Sequence, residues 1–267
     1  EMEPKRAAFN DKITQNAKLF ARIAAVYDSR DKAHLTAEQQ RLAWYYYNEF
    51  VRQGAKLDAP AKARVAAINE RLAALFASFN QNLLADENDY VLYLKSEAEL
   101  AGLSEAQRSA AAAAAEERGH KGEWAILNTR SSMEPFLTNS QRRDLREKVW
   151  RTYYARGDNG DAHDNNKIIT EILQLRAERA QLLGYPTHAH WRLENTMAKT
   201  PERAMELMEA VWRPAVARVH EEVADMQAIA DAEAAKGGAK LAIEPWDYRY
   251  YAEKVRKARY DLDENEV

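Results

Sequence analysis

The chain has 267 residues, 46% of them hydrophobic, and carries 39 Lys and Arg against 42 Asp and Glu. This near-neutral balance, with acids and bases mixed along the chain, excludes the broad basic face that binding to nucleic acid or to an anionic membrane requires. The absence of cysteine excludes disulfides, thiolate zinc sites, iron–sulfur clusters and a cysteine nucleophile.

Three helices are predicted in the first part of the chain. The first covers Ala7–Tyr27. The second begins with a capping box at Thr36, where Gln39 follows three residues later, and ends at Gly54. The third starts near Pro60, and its apolar residues recur close to the 3.6-residue helical period. These residues are Val65, Ile68, Leu72, Leu75, Phe76, Phe79 and Leu83.

Two short segments in the middle of the chain have a different pattern. Tyr90–Leu94 and Trp124–Leu127 are short, aromatic and β-branched or aliphatic, which predicts strands of a small antiparallel ribbon. Between them, a capping box at Ser104 predicts a helix that ends at Gly119. Six consecutive alanines in this helix favour helix formation and allow close packing.

Helices return from Asn139 to the end of the chain. We predict them over Asn139–Arg156 and Ile168–Leu183, from Thr200 to Gly237, and from Pro245 to Tyr260. The predicted fold is therefore mainly α, a multi-helix array with a small antiparallel β ribbon at about residues 90–95 and 123–128. We expect one helical region over 1–267, subdivided into helical hairpins at 1–88, a small α/β element at 89–138 and a long-helix bundle at 139–267.

The six histidines give no complete metal or catalytic site. His220-Glu221 resembles the start of an HExxH zinc motif, but Ala224 stands where the second histidine is required. His188 and His190 are two residues apart, so their side chains diverge on a helix. The other histidines are His34, His120 and His163. We therefore predict no catalytic residue and no metal ligand in this chain.

Four polar or aromatic segments suggest sites, but each fits a simpler interpretation. The run from Asp158 to Asn165 resembles a calcium loop, yet its sixth and twelfth positions are His163 and Ile169, so we interpret it as a turn between helices. The aromatic runs at 44–47 and 246–251 are interpreted as helix packing. The basic run Arg142, Arg143, Arg146, Lys148 and Arg151 alternates with Asp144 and Glu147, which predicts a salt-bridged helix surface.

Several phrases in a fixed order resemble one enzyme family. They are Glu99-Leu-Ala-Gly-Leu103, Trp124-Ala-Ile-Leu127, Glu134-Pro-Phe-Leu137, Arg142-Arg-Asp-Leu-Arg-Glu147, Tyr153-Tyr-Ala-Arg-Gly157, Asn165–Arg176, Leu182-Leu-Gly-Tyr185, Met197-Ala198, and Glu244-Pro-Trp-Asp247 followed by Tyr250-Tyr251. Together they are similar to the thimet-oligopeptidase-like zinc metallopeptidases, above all the peptidyl-dipeptidase (Dcp) branch and its oligopeptidase A relatives.

The resemblance implies where the catalytic chemistry of such a protein lies. In this family an HExxH motif and a later glutamate hold zinc, and the glutamate within the motif activates the zinc-bound water. The segment that resembles Pro245–Tyr260 precedes that motif, and this sequence contains no HExxH. We therefore expect an internal fragment from the N-terminal half of a two-lobed peptidase. It would form one wall of the substrate channel, hold no zinc itself and be inactive alone, with substrate-binding residues unknown.

The resemblance also implies the partners. We expect the parent enzyme to bind zinc and to release C-terminal dipeptides from short peptides, and we expect no nucleic-acid and no membrane partner. We expect a monomer, with self-association of the fragment through exposed channel wall as the alternative. A cytoplasmic location is expected, with the periplasm as the alternative. A non-catalytic helical scaffold derived from the same fold is the competing functional hypothesis.

Overall fold

A computed structural model describes residues 2–260 of the chain. Over these residues it contains eleven α-helices and one two-stranded antiparallel sheet, which confirms the predicted mainly-α class. The described residues form two compact units. One comprises residues up to 81 together with 165–207, and the other comprises 82–164 together with 208 onward. The subdivision expected from the sequence, at residues 88 and 138, stays a prediction.

The first unit is built from helices alone. They are α1 (Met2–Thr14), α2 (Ala17–Ser29), α3 (Ala37–Arg52), the first part of α4 (Ala59–Asp89), α8 (Asn166–Leu182), α9 (His188–Leu193) and the start of α10 (Pro201–Ala235). Its core consists of Ile68, Leu72 and Leu75 of α4 against Ile172 of α8. The predicted apolar stripe is therefore buried in its N-terminal half, whereas Phe76 is partly exposed.

The second unit combines helices with the ribbon. It contains the end of α4, β1 (Leu92–Leu94), a short 3₁₀ helix (Glu97–Leu100), α5 (Glu105–Glu116), β2 (Trp124–Ile126), α6 (Arg130–Asn139), α7 (Arg143–Tyr154), most of α10 and α11 (Tyr248–Tyr260). Strands β1 and β2 pair antiparallel, with Tyr93 opposite Ala125, as predicted. Phe136, Met133 and Leu137 of α6 lie in the same buried cluster as Leu94 and Ile126.

The predicted first helix, Ala7–Tyr27, is wrong in one respect, because it is two helices. The Asn16 side chain accepts a hydrogen bond of 2.9 Å from the backbone N–H of Leu19 and caps the start of α2. The asparagine side chain offers the backbone an alternative to the helical hydrogen bond, so one helix ends before this position and the next begins after it. The apolar spacing continues across the break, which is why the sequence pattern did not reveal it.

The predicted helix beginning at Asn139 is also wrong at its start. Asn139 ends α6, and the extended backbone of Ser140 separates it from α7, which begins at Arg143. Helix α6 was missed because Pro135 lies inside it, and proline normally argues against a helix interior. The sequence signal was present in the spacing of Met133, Phe136 and Leu137, which all point into the core.

Helix α5 packs against β2 through its smallest side chains. Ala111 and Ala115 are buried, and Ala111 belongs to the apolar cluster around the ribbon, whereas Ala110 and Ala113 are exposed. The alanine run is thus a packing surface on one side only.

The capping box of α5 is confirmed and gives a stability prediction. The Ser104 hydroxyl accepts from the N–H of Gln107, and the Gln107 side chain accepts from the N–H of Ser104. We expect Ser104→Ala to lower the free energy of unfolding by about 1 kcal/mol, because it leaves a helix N–H without its partner. Urea unfolding followed by circular dichroism measures the loss. Ser109→Ala, at an exposed position inside the same helix, is the matched control and should not destabilise the chain.

No helix among the described residues is both long enough and apolar enough to cross a membrane.

Candidate functional site

The near miss to a zinc motif lies on an exposed face of α10. His220 is exposed, and the position of a second imidazole is occupied by Ala224. The neighbouring acids have other partners, since Glu221 pairs with Arg218 at 2.7 Å and Glu222 accepts a 2.7 Å hydrogen bond from the Tyr248 hydroxyl. These residues therefore do not assemble a catalytic zinc site.

His188 and His190 face different surroundings, as their spacing predicts. His190 Nδ1 lies 2.8 Å from the Thr187 hydroxyl. His188 Nδ1 is buried and has no hydrogen-bond partner. Burial lowers the pKa of His188 to about 4, and the positive charges of Arg176, Arg179 and Arg192 act in the same direction. His188 is therefore neutral at physiological pH.

The lowered pKa of His188 predicts a pH-dependent stability. The pKa of this imidazole is near its ordinary value of 6.5 in the unfolded chain and about 4 in the folded chain. The unfolded state therefore binds more protons between these values, so stability rises with pH from about 4 to 6.5 and is lost as pH falls through that window. We expect His188→Gln to flatten this dependence in thermal denaturation between pH 4 and 7. The exposed His220→Gln is the control, and an equal flattening there would contradict the assignment.

The turn after α7 brings together residues distant in sequence. Asp161 and His163 lie in this turn, Asp86 lies in the last turn of α4, and each offers one ligand atom within 4.8 Å of the others. Asp86 is completely buried, Asp161 is exposed and His163 is half-buried. The segment from Asp158 to Asn165 is therefore a turn between helices, as predicted, but it is joined to α4 by a buried carboxylate that the sequence analysis missed.

Each of the two aromatic runs makes packing contacts. Tyr47 stacks on Tyr27 with ring centroids 4.0 Å apart, and the Arg41 guanidinium lies 3.9 Å from the Trp44 ring centroid. In the second run, Tyr251 is buried and Trp246 packs edge-on against Trp150.

The basic run is only partly a salt-bridged surface. Arg142 pairs with Asp144 and Arg151 with Glu147 at exposed positions, as predicted. Arg146, however, is 2% exposed, and its Nη2 lies 2.7 Å from Oδ1 of the fully buried Asp247. Arg143 contacts the other oxygen of the same carboxylate at 2.8 Å. The prediction of a surface is therefore wrong for Arg146, because its partner lies 101 residues away and could not be found from local charge spacing.

The second unit contains an open cleft of about 750 Å³. Its lining includes the apolar and aromatic side chains of Leu137, Trp150, Tyr154, Val223, Ile243 and Tyr248. Three of the four charged side chains in its lining are paired: Arg249 donates to Glu134 at 2.6 Å, and Arg256 donates to Glu253 at 2.7 Å, whereas the fourth, Glu244, is exposed. The cleft is therefore suited to holding apolar side chains and offers no acid–base pair poised for catalysis. Sequence analysis missed it because its walls come from α6, α7, α10 and α11.

Comparison with known proteins gives a consistent picture. The model of "Peptidase family M3" matches residues 136–267. The chain is 37% identical over 255 residues to a dipeptidyl carboxypeptidase of Escherichia coli. The aligned segment comprises 96% of this chain and 37% of that protein. It is 36% identical over 98% of its length to the dipeptidyl carboxypeptidase of Salmonella typhimurium, covering 38% of that protein. It is 29% identical to an oligopeptidase A of Haemophilus influenzae over 99% of this chain and 39% of that protein. The chain thus spans less than two fifths of the length of these relatives.

Proposed function

Because the chain is a relative of the thimet-oligopeptidase-like peptidases of family M3, we propose that it forms part of a peptidase that releases C-terminal dipeptides from short peptides. The observation that carries this proposal is the similarity along almost the whole chain to proteins named dipeptidyl carboxypeptidase, at 36–37% identity. The similarity to oligopeptidase A proteins is lower, at 28–29% identity for the bacterial ones. This difference favours the activity in the name of the first group, the release of C-terminal dipeptides.

We assign to this chain one wall of the substrate channel. The cleft between α6, α7, α10 and α11 supports the assignment, because its apolar and aromatic lining can hold peptide side chains while Arg249, Glu253 and Arg256 are paired. Binding of this kind positions a substrate without itself supplying the chemical step.

The catalytic zinc of such an enzyme would be held outside this sequence. The residues here do not fit the zinc site, because no two of the six histidines are one helical turn apart and His220 is followed by Ala224 at the required position. A bound zinc would polarise the peptide carbonyl and activate water. We therefore propose that the isolated chain is inactive and that its residues only bind and orient the peptide.

The partners are proposed on the same basis. Short peptides are the expected ligands. The cytoplasm is the proposed location, with the periplasm as the alternative. We propose a monomer. Self-association is the alternative, since Met208, Val211 and Trp212 of α10 are more than half exposed.

Peptide hydrolysis tests the proposal directly. The chain alone and the longest product of its gene are each supplied with zinc and a tetrapeptide, and released dipeptide is measured by mass spectrometry. The same peptide with an amidated C-terminus is the control, because dipeptide release requires the free carboxylate. We expect release only by a longer product, only from the free peptide and only without a chelator. Chelator-sensitive cleavage by the chain alone would contradict its inactivity, and silence of both would favour the scaffold hypothesis.

A variant in the cleft tests the channel-wall assignment. Tyr154 lines the cleft and is 60% exposed, so its ring is available to a peptide. In the active product, Tyr154→Ala should raise KM by roughly tenfold with little change in kcat. A tenfold rise in KM corresponds to about 1.4 kcal/mol, which is the binding free energy expected from one aromatic contact. Tyr46→Ala removes a ring that is 52% exposed but outside the cleft, and it should leave KM unchanged. Equal effects of the two variants would argue against the cleft.

A further inference from the structure

Where Asp86, Asp161 and His163 come together, one oxygen of the buried Asp86 carboxylate has no hydrogen-bond partner. Asp86 Oδ2 accepts hydrogen bonds from the N–H of Gly157 at 2.6 Å and from Asn159 Nδ2 at 3.0 Å. Asp86 Oδ1 is buried and has no hydrogen-bond partner. A buried carboxylate oxygen without a partner is unfavourable, because it has lost its water and gained nothing in exchange. A cation beside Oδ1 would remove that penalty.

Two hydrogen bonds fix the position of the second carboxylate, that of Asp161. The Tyr90 hydroxyl donates to Asp161 Oδ2 at 2.7 Å, and the backbone N–H of His163 donates to Asp161 Oδ1 at 2.8 Å. Hydrogen bonds of this kind orient the ligands of metal sites.

The surrounding charge also favours a cation. Asp89 lies close to the same place, with its Oδ2 4.0 Å from His163 Nδ1. Arg156, which precedes the turn in the sequence, is already paired with Glu87 at 2.6 Å. Among residues 2–260, this is the one group of three or more His, Asp and Glu side chains whose ligand atoms converge closely enough to hold an ion.

We propose that Asp86, Asp161 and His163 bind one divalent transition-metal ion, with water completing its coordination. Two carboxylate oxygens and one imidazole nitrogen form a donor set that suits Zn²⁺, whereas Ca²⁺ prefers six to eight oxygens. In a tetrahedral site with bonds of about 2.1 Å the ligand atoms are about 3.4 Å apart. The ligand atoms of the three side chains lie within 4.8 Å of one another, so binding requires them to come closer. Asp161 is exposed, so its side chain can make this small movement. The ion would fasten the turn at 157–165 to the end of α4, and this role does not depend on the proposed peptidase activity.

Zinc titration of the chelator-stripped chain tests this site. Isothermal titration calorimetry should show one Zn²⁺ per chain, and differential scanning calorimetry should show a higher Tm with Zn²⁺ than with the same concentration of Ca²⁺. His163→Ala and Asp161→Asn should each weaken Zn²⁺ binding by at least about tenfold, since each removes or weakens a ligand. His220→Ala removes an exposed histidine of the same unit that is outside the cluster, and it should leave the affinity unchanged.

The outcomes separate a metal site from a loss of folding. Without metal, the His163→Ala and Asp161→Asn chains should have the same Tm and circular dichroism spectrum as the unmodified chain, because both side chains are at the surface of the turn. Asp86→Asn is less informative, since Asp86 also anchors Gly157. Undiminished zinc affinity in both His163→Ala and Asp161→Asn, equal loss in His220→Ala, or a larger Tm increase with Ca²⁺ would each overturn the proposal.

Discussion

Asp247→Ala is expected to lower the free energy of unfolding by about 3–5 kcal/mol, a large part of the stability of a chain of this size. Asp247 is completely buried and accepts hydrogen bonds from the side chains of Arg143 and Arg146 and from the backbone N–H of Glu244. Removing the carboxylate leaves the Arg146 guanidinium buried without its counter-charge. The loss is much larger than a surface pair would give, because water cannot replace the partner.

The control for Asp247 is a pair of the same chemistry at the surface. Asp144 pairs with Arg142 at 2.7 Å, with 61% of the Asp144 side chain exposed. Asp144→Ala should change the free energy of unfolding by no more than about 1 kcal/mol in the same urea titration. Combining Asp247→Ala with Arg146→Met should destabilise less than the sum of the single changes, because the second change removes the stranded charge. Strict additivity would contradict the ion-pair explanation.

Trp191→Ala is expected to have a comparable effect in the first unit, about 3–5 kcal/mol. The indole is buried, and its Nε1–H donates to the backbone oxygen of Arg52 at 3.0 Å. The Arg52 guanidinium in turn donates to the backbone oxygen of Trp191, and Arg179 lies 4.6 Å from the ring centroid. The change therefore opens a cavity and leaves a buried carbonyl without its donor.

Two further variants separate packing from hydrogen bonding at Trp191. Trp191→Phe keeps most of the apolar volume but removes the N–H, so we expect a smaller loss of about 1–3 kcal/mol. Trp212→Ala removes a tryptophan that is 68% exposed and should change the free energy of unfolding by less than about 0.5 kcal/mol. Urea unfolding followed by circular dichroism measures all three. Similar losses for Trp191→Ala and Trp212→Ala would refute the assigned role.

Much of the fold follows from local sequence signals. The capping boxes at Thr36 and Ser104 and the short strands around Tyr93 and Ala125 were predictable, because each depends on residues only a few positions apart. Helix α6 was missed since Pro135 opposes the helical spacing of its apolar residues. The break at Asn16 was missed for the opposite reason, because a regular apolar pattern continued through it.

The candidate sites were less predictable, because they depend on distant pairs. Asp86 and Gly157 are 71 residues apart, and Arg146 and Asp247 are 101 apart. Charge spacing along one helix cannot show which acid a given arginine meets, so Arg146 resembled its exposed neighbours. The resemblance to M3 peptidases can be seen from short sequence segments in a fixed order. Those segments do not show, however, that Asp247 in one of them is the buried partner of Arg143 and Arg146 in another.

The packing of α5 predicts which positions of this helix can be substituted in homologous proteins. Ala111 and Ala115 are four residues apart and both buried, with Ala111 in the cluster around the ribbon, so any larger side chain there must push the helix away. Ala110 and Ala113 are exposed and can be exchanged for any good helix former. Natural variation within this run of identical residues should therefore be uneven, with substitutions collecting on the exposed side while the two buried positions keep small residues.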